Sequence, residues 1–447
     1  MAIAFIILGA GLGTRMNSEL PKVLHEIAGA PMLVHAMKSG AALSPDRTVV
    51  VAGQGAAAVE KAVQAYDPDA QVVLQSEQLG TAHAVAQARD ALAGFDGDAL
   101  VLYGDTPFIR PETLAAMAAA RLTHDIVVLG FEAADPARYG RLILKDGQLD
   151  RIVEFKDAND EERTVNLCNS GVISADSATL FNLIAEVGNA NAAEEYYLTD
   201  IIGIARGRGL TATVVRCDEA ETIGINSRAE LAKAEALFQA RAREMAQEDG
   251  VTMTAPETVF FAHDTVIGRD TVIEPNVVFG PGVTVESGAT IRAFSHLEGC
   301  HVSRDAVVGP YARLRSGAEL AEGVKVGNFV EIKNAIIAEG AKINHLSYIG
   351  DAEIGARSNI GAGTITCNYD GVFKHKTVIG ADAFIGSNTM LVAPVTVGDA
   401  AMTASGSVVT RDVPAGDLAV ARGRQENKAG FAVRLFEKLR TLKAKGS

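Results

Sequence analysis

Between Phe261 and Val413 one large apolar residue returns at every sixth position of the chain. The beat runs through Phe261, Ile267, Ile273, Phe279, Val285, Ile291 and Leu297. After a shorter step it continues through Val302, Val308, Leu314, Leu320, Val326 and Ile332, then Ile337, Ile343 and Ile349, then Ile354 and Ile360. It resumes at Ile379, Ile385, Leu391 and Val397. A small or β-branched residue stands four places after most of these, as at Thr271, Ala289, Ser295, Ala312, Ala341 and Ser347. Neither the helical period of about 3.6 residues nor simple strand alternation produces a repeat of six. A β-helix does, because each hexad forms one flat wall with its large and small residues both turned inward. One coil cannot bury its inner face alone, so stacking on its neighbours supplies the core.

Residues 1–226 carry a different pattern, in which apolar runs alternate with amphipathic stretches. The predicted strands are Ile3–Leu8, Thr48–Ala52, Gln71–Gln75, Ala99–Tyr103 and Ile126–Phe131. Helical periodicity falls near Pro31–Leu43, Ala56–Ala65, Thr81–Leu92 and Pro111–Ala120. That alternation predicts an α/β domain, Rossmann-like, with a mostly parallel sheet. Ligands of such folds sit beyond the C-terminal ends of the strands. The stretch from Ser227 to Glu248 is rich in Ala, Glu, Arg and Lys, opens on a Ser227–Glu230 capping box and closes at Asp249-Gly250. The expected organisation is an N-terminal domain over 1–226, a linker helix over 227–249, and a β-helix domain with a basic tail over 250–447.

Composition narrows the picture. Hydrophobic residues make up 48% of the 447, yet aromatics only 5% and Trp is absent, which suits coils filled with small and aliphatic side chains. A formal charge of −14 argues against nucleic acid as a partner, so phosphorylated substrates would need locally basic sites. The four cysteines, Cys168, Cys217, Cys300 and Cys367, have neither metal-ligand spacing nor disulfide density, and a reducing, cytoplasmic setting is expected. The apolar opening Ala2–Gly11 is too short to span a bilayer and lacks a basic flank, so it is read as a buried strand rather than a targeting segment.

The first predicted strand ends in a glycine-rich run, Leu8 to Met16 (LGAGLGTRM), which contains Arg15 and is followed by Pro21-Lys22. Glycines let backbone N–H groups approach phosphate oxygens. The dinucleotide fingerprint fails because Thr14 stands where a third small residue is needed, and the Gly-Lys-Ser/Thr of a P-loop is missing. The loop with Arg15 and Lys22 instead resembles the motif of sugar-nucleotidyltransferases. That resemblance implies nucleotide contacts from Leu8, Gly9, Ala10, Gly11, Arg15 and Lys22, and a base-reading loop at Gln75, Gly80 and Thr81. It implies further contacts from Tyr103, Gly104 and Asp105, sugar contacts from Gly140, Glu154 and Asn169, and Mg²⁺ held by Asp105 and Asn226. One carboxylate and one amide oxygen suit Mg²⁺, which takes few protein ligands. The implied chemistry is attack of a sugar-1-phosphate oxygen on the α-phosphorus of UTP, a reaction served by charge neutralisation and in-line positioning.

In the repeat region, hexad phase places Arg315 after Leu314 and Lys333 after Ile332, as outward neighbours on adjacent coils. Stacked like charges are unfavourable. They read either as an anion site or as solvated cations offset by Glu331. His345 and Tyr348 flank inward Ile343 and Ser347 and are free to face outward one coil on. An imidazole is the natural base for an ammonium that must lose a proton before attacking a thioester. The beat breaks between Ile360 and Ile379, leaving Thr364 to Lys374 as an excursion, and such loops often carry a solenoid's ligands.

This region resembles the hexapeptide-repeat, left-handed parallel β-helix family. Both halves in order resemble the bifunctional acetyltransferase–uridylyltransferase family of bacterial cell-wall precursor synthesis. That resemblance implies His345 as general base, with Arg315, Lys333, Tyr348 and Asn359 on glucosamine-1-phosphate. It implies acetyl-CoA contacts from Ala362, Asn368, Tyr369, Ser387, Ser405 and Arg422, and a homotrimer assembled through the β-helix. Gly9 and Ser405 both stand where the family pattern has Ala, so only a backbone contact transfers to Ser405. Cys367 is read as a passive neighbour of Asn368. From Arg422 the tail carries eight Lys or Arg against two Glu, with Phe431, Leu435, Leu439 and Leu442 on a helical stripe. It suits a membrane surface, a neighbouring subunit or the phosphates of coenzyme A. Two rival readings are a nucleotidyltransferase whose β-helix only assembles it, and a non-enzymatic scaffold. His345 argues against the first, and intact Lys22, Asp105 and Asn226 against the second.

Overall fold

The computed structural model describes residues 2–11, 13–137 and 139–445. Leu12 of the glycine-rich run and the last two residues of the tail lie outside the described residues. The chain divides into two compact units, Met1–Ala242 and Arg243–Ser447.

The first unit is built on a nine-stranded sheet. Its strands are β1 (Ile3–Gly9), β2 (Arg47–Ala52), β3 (Gln71–Leu74), β4 (Asp98–Tyr103), β5 (Ile126–Glu132), β6 (Arg141–Lys145), β7 (Gln148–Val153), β8 (Leu167–Asp176) and β9 (Ala212–Cys217). The order is β9-β5-β8-β4-β1-β2-β3, with the β6–β7 hairpin attached to β8. β1 lies parallel to both β2 and β4, whereas β8 is antiparallel to β4 and β5. Along β1, Ala4, Ile6 and Leu8 enter one core and Phe5 and Ile7 the other. Burial on both faces explains why the strand reads as an unbroken apolar run. All five expected strands are present. The antiparallel β8 was not legible, because its Asn169–Ile173 irregularity interrupts the apolar run that would announce it. The helix Arg228–Glu248 follows Ser227, whose Oγ accepts from the Glu230 amide at 3.3 Å, while the Glu230 carboxylate accepts from the Asn226 amide at 2.7 Å.

In the second unit short parallel strands stack into a ten-stranded and a fourteen-stranded sheet, the walls of a parallel β-helix. Every residue of the six-residue beat is buried except Ile267, and so are the small partners from Thr271 to Thr364. The excursion is shorter than expected. Thr366, six places after Ile360, is buried at 1% exposure and keeps the beat within the strand Ile365–Cys367. Its hydroxyl accepts from the Gly350 amide at 2.8 Å and donates to the Gly350 carbonyl at 3.1 Å, so a polar residue fills an apolar position without an unmet hydrogen bond. Only residues 368–376 leave the coil. There Asp370 accepts from the Val372 and Phe373 amides and pairs with His375 at 2.6 Å, which with those amide bonds brings its carboxyl down to about 2. The terminal helix Phe431–Lys445 is exposed along its length. No helix among the described residues is long and apolar enough to cross a membrane.

Candidate active sites

In the first unit a cavity of about 260 Å³ opens at the C-terminal ends of β1, β3 and β4. Leu8, Gly9, Ala10, Gly11, Lys22, Gln75, Gly80, Thr81, Tyr103 and Asp105 line it together. Gly104 sits beside them, its amide donating to the Leu8 carbonyl at 2.9 Å. Gly80 is required where it stands: its φ is +115°, and a Cβ there would lie 2.5 Å from the Tyr196 carbonyl oxygen.

The Lys22 ammonium lies between two oxygens, hydrogen-bonded to the Asp105 carboxylate and to Asn226 Oδ1 at 3.0 Å. A cation thus already occupies the place where one carboxylate and one amide oxygen converge, and this donor set is what a hard divalent ion accepts when phosphates and water complete its shell. Among the described residues no group of three or more His, Cys, Asp or Glu side chains offers an alternative metal cage.

Tyr103 lies beside Thr81, and burial, with the charges of Asp105 and Glu154, pushes its phenol far above the usual range. Gly140 lies against the Glu154 carboxylate, its carbonyl accepting from the Asn169 amide at 2.9 Å. Burial raises the Glu154 carboxyl, which accepts from Thr199 at 3.3 Å. Gly140, Glu154 and Asn169 thus form a second cluster that reaches the cavity through Tyr103. Arg15 stands exposed on the short turn Thr14–Met16, outside the cavity lining. Sequence reasoning missed Glu195, which also lines the cavity and carries no periodic or motif signal, and it assigned no contact to Gln78, which lines the cavity from within the expected base-reading loop.

In the second unit the predicted residues fall into two columns. At one corner the amide of Leu346 donates to Asn328, that of Gly363 to His345, that of Asn388 to Ala362 and that of Gly406 to Ser387. His345, Ala362, Ser387 and Ser405 are thereby stacked on successive coils, with Arg422 alongside Gly406. The stack is tight: a Cβ on Gly361 or Gly386 would lie 2.6 and 2.5 Å from the amide nitrogens of Ser387 and Ser405. His345 Nδ1 is 3.1 Å from Asn328 Oδ1, so Nδ1–H donates and Nε2 keeps its lone pair for a substrate. Asn328 was not anticipated, although it stands 17 positions before His345, one coil earlier.

The second column carries the cations. Strand register sets Leu314 against Ile332 and therefore Arg315 beside Lys333, with Tyr348 on the next coil. Arg315 is neutralised by Glu331 at 2.8 Å, which raises its pKa. Lys333 has a different neighbour. Contact with Lys374, followed by the charges of Lys374 and Arg315, lowers its pKa. Lys374 was also missed, because the loop that delivers it has no period. Crowded cations of this kind are relieved by a bound anion. Asn368 donates to Asp351 at 2.5 Å, Asp351 accepts from Asn334 at 2.6 Å, and Tyr369 stands exposed on the loop. Asn359 is not brought to this wall: it pairs in register with Lys342 and Phe384 on the ten-stranded sheet. Burial raises the Cys367 thiol, in keeping with a passive role.

Two families match the chain. Residues 5–164 match the MobA-like NTP transferase domain, and residues 264–299 and 376–411 match the bacterial transferase hexapeptide (six repeats). A protein from Ruegeria pomeroyi named Bifunctional protein GlmU is 70% identical over 444 residues, 99% of either chain. One of the same name from Dinoroseobacter shibae is 67% identical over 449 residues, 100% of both. Among solved structures, a UDP-glucose pyrophosphorylase complexed with UDP-glucose aligns with 54% of this chain and 100% of its own, at 19% identity and a TM-score of 0.45.

Proposed function

This chain belongs to the family of bifunctional GlmU proteins, an acetyltransferase and a uridylyltransferase on one polypeptide, and we propose how its residues divide that work. The β-helix domain, 250–447, acetylates glucosamine-1-phosphate from acetyl-CoA. The N-terminal domain, 1–226, transfers UMP from UTP to the N-acetylated product, with 227–249 joining the two.

In the β-helix, Arg315, Lys333 and Tyr348 hold the sugar phosphate, with Lys374 as a third cation beside them. His345 Nε2 takes a proton from the substrate ammonium. The freed amine attacks the thioester carbon, the C–S bond breaks, and coenzyme A leaves as a thiol. Ala362, Ser387, Ser405 and Arg422 offer the corner along which acetyl-CoA lies, with Asn368 and Tyr369 beside the reacting groups. Asn359 faces another wall, which supports a site completed between copies in a homotrimer. A cytoplasmic location fits these soluble co-substrates.

In the N-terminal domain, Gln75, Gly80 and Thr81 bound the base end of the cavity, and Leu8 to Gly11 with Lys22 receive the phosphates, while Arg15 stays on the exposed turn outside the lining. Asp105 and Asn226 hold Mg²⁺, which when bound neutralises triphosphate charge. Tyr103 and Gly104, with Gly140, Glu154 and Asn169, place the sugar. A phosphate oxygen of the sugar attacks the α-phosphorus, the bond to the β-phosphate breaks, and pyrophosphate departs.

The observation that carries the N-terminal assignment is the cation held between Asp105 and Asn226 at the strand ends. The test is a split assay: thiol release from acetyl-CoA and glucosamine-1-phosphate without UTP, and pyrophosphate release from UTP and N-acetylglucosamine-1-phosphate without acetyl-CoA. Both are expected for the wild type. His345→Ala should lower only thiol release, by about 10²–10⁴-fold. Absence of thiol release from the folded wild type would reduce the β-helix to a scaffold.

A further inference from the structure

His83 belongs to no contact assigned above, yet it sits behind the wall of the nucleotide cavity. Its Nδ1 is 3.1 Å from Gln75 Nε2, and its Nε2 is 3.2 Å from Gln87 Nε2. Two amide nitrogens therefore face one imidazole, and a neutral ring has a single lone-pair nitrogen to offer them. The surroundings decide which amide takes it. Gln75 is 3% exposed, and the same Nε2 lies 3.3 Å from the Gly80 carbonyl, an acceptor that would repel Gln75 Oε1 if the amide were reversed. Gln87 is only partly buried, its Nε2 keeps the His83 carbonyl as an acceptor at 3.0 Å, and water can take the hydrogen that would otherwise need the ring. The lone pair goes to Gln75.

Both hydrogens of the Gln75 amide are then spent inside the protein, on Gly80 O and His83 Nδ1. No donor among the described residues reaches Gln75 Oε1, which leaves that oxygen to the cavity Gln75 lines. A bare acceptor here selects the hydrogen-bonding edge of a base. Opposite N3, uracil presents an N–H donor, whereas cytosine presents an unprotonated N3 that meets the oxygen lone pair to lone pair, its one donor on that edge, the N4 amino group, lying to the side.

We propose that His83 is a specificity-determining positioning residue for uridylyl transfer, fixing the Gln75 amide so that its oxygen faces the base and a uracil nucleotide is chosen over a cytosine one. This rests on the reading of the cavity as the uridylyltransferase site. Amide orientation is set only by its hydrogen-bond partners. A site built to pair a substrate N–H discriminates strongly against an analogue lacking it.

The test compares kcat/KM for pyrophosphate release with UTP and with CTP, using N-acetylglucosamine-1-phosphate as acceptor. His83→Phe keeps a ring but removes the acceptor, and the UTP/CTP ratio should fall at least tenfold, about 1.4 kcal/mol. His83→Asn places an amide oxygen near the position of Nδ1 and should restore most of the ratio, a rescue that a packing role would not predict. Gln87→Ala should leave the ratio unchanged. A His83→Phe enzyme that is folded and active on UTP with its ratio within twofold of wild type overturns the proposal, as does failure of His83→Asn to discriminate better than His83→Phe. If wild type releases no pyrophosphate from any nucleoside triphosphate, the reading of the site fails instead.

Discussion

The two units solve the problem of gathering functional groups in opposite ways. In the α/β unit Lys22 meets Asp105 across 83 positions and Asn226 across 204. In the β-helix His345 meets Asn328 across 17 positions, Arg315 meets Glu331 across 16, and Asp351 meets Asn334 and Asn368 across 17 each. The first site is made by convergence, where strands from distant parts of the chain end side by side at one edge of a sheet. The second is made by translation, each coil setting its residues above those of the last. Convergence concentrates function on a few irreplaceable atoms. Translation spreads it along columns in which neighbours share the work.

Asp105→Ala should lower pyrophosphate release by about 10³-fold, since charge stabilisation at such a site is worth several kcal/mol, and should leave acetyl transfer within twofold. Loss of both activities in a folded variant would mean that the units are not independent. Stability offers the next contrast. Ile291 is fully buried in a coil well before the His345 corner, and Ile291→Ala should cost about 3 kcal/mol. Calorimetry should show one transition lowered and a second unmoved, with acetyl transfer intact at 25 °C. A common shift of both transitions would contradict a separate β-helix core.

Within a column, removing a supporting neighbour should weaken function without abolishing it. Asn328→Ala should reduce kcat for acetyl transfer by about tenfold and alter its pH profile, because Asn328 holds the His345 ring proposed as the base, while KM for acetyl-CoA stays near wild type. Lys374→Ala should act on the other parameter, raising KM for glucosamine-1-phosphate several-fold. The smallest effect is expected from the cysteines. Burial pushes the Cys217 and Cys300 thiols up to about 12 and raises Cys168 and Cys367 as well. Alkylation of the native protein at pH 8 should therefore be slow and leave both activities intact. Rapid inactivation through Cys367 would give that loop residue a role its surroundings do not suggest.

A period of six assigns every residue of the β-helix to a wall or a corner and makes register a matter of counting, so the repeat and the placement of its candidate residues could be read along the chain. Arg315 beside Lys333, and His345 outside the wall, were legible for that reason. So was the glycine loop with Lys22 and Asp105, since tight backbone turns at strand ends leave a local trace. Tertiary structure supplied what leaves no local trace. It inserted β8 antiparallel into the sheet, kept Thr366 in the coil by hydrogen-bonding its hydroxyl, and delivered Lys374 to Lys333 on an aperiodic loop. It also turned the Gln75 amide by way of His83, eight positions away. Periodicity reports where a backbone runs, but the direction of an amide or the neighbour of a loop lysine is set by partners that only folding brings within hydrogen-bonding distance.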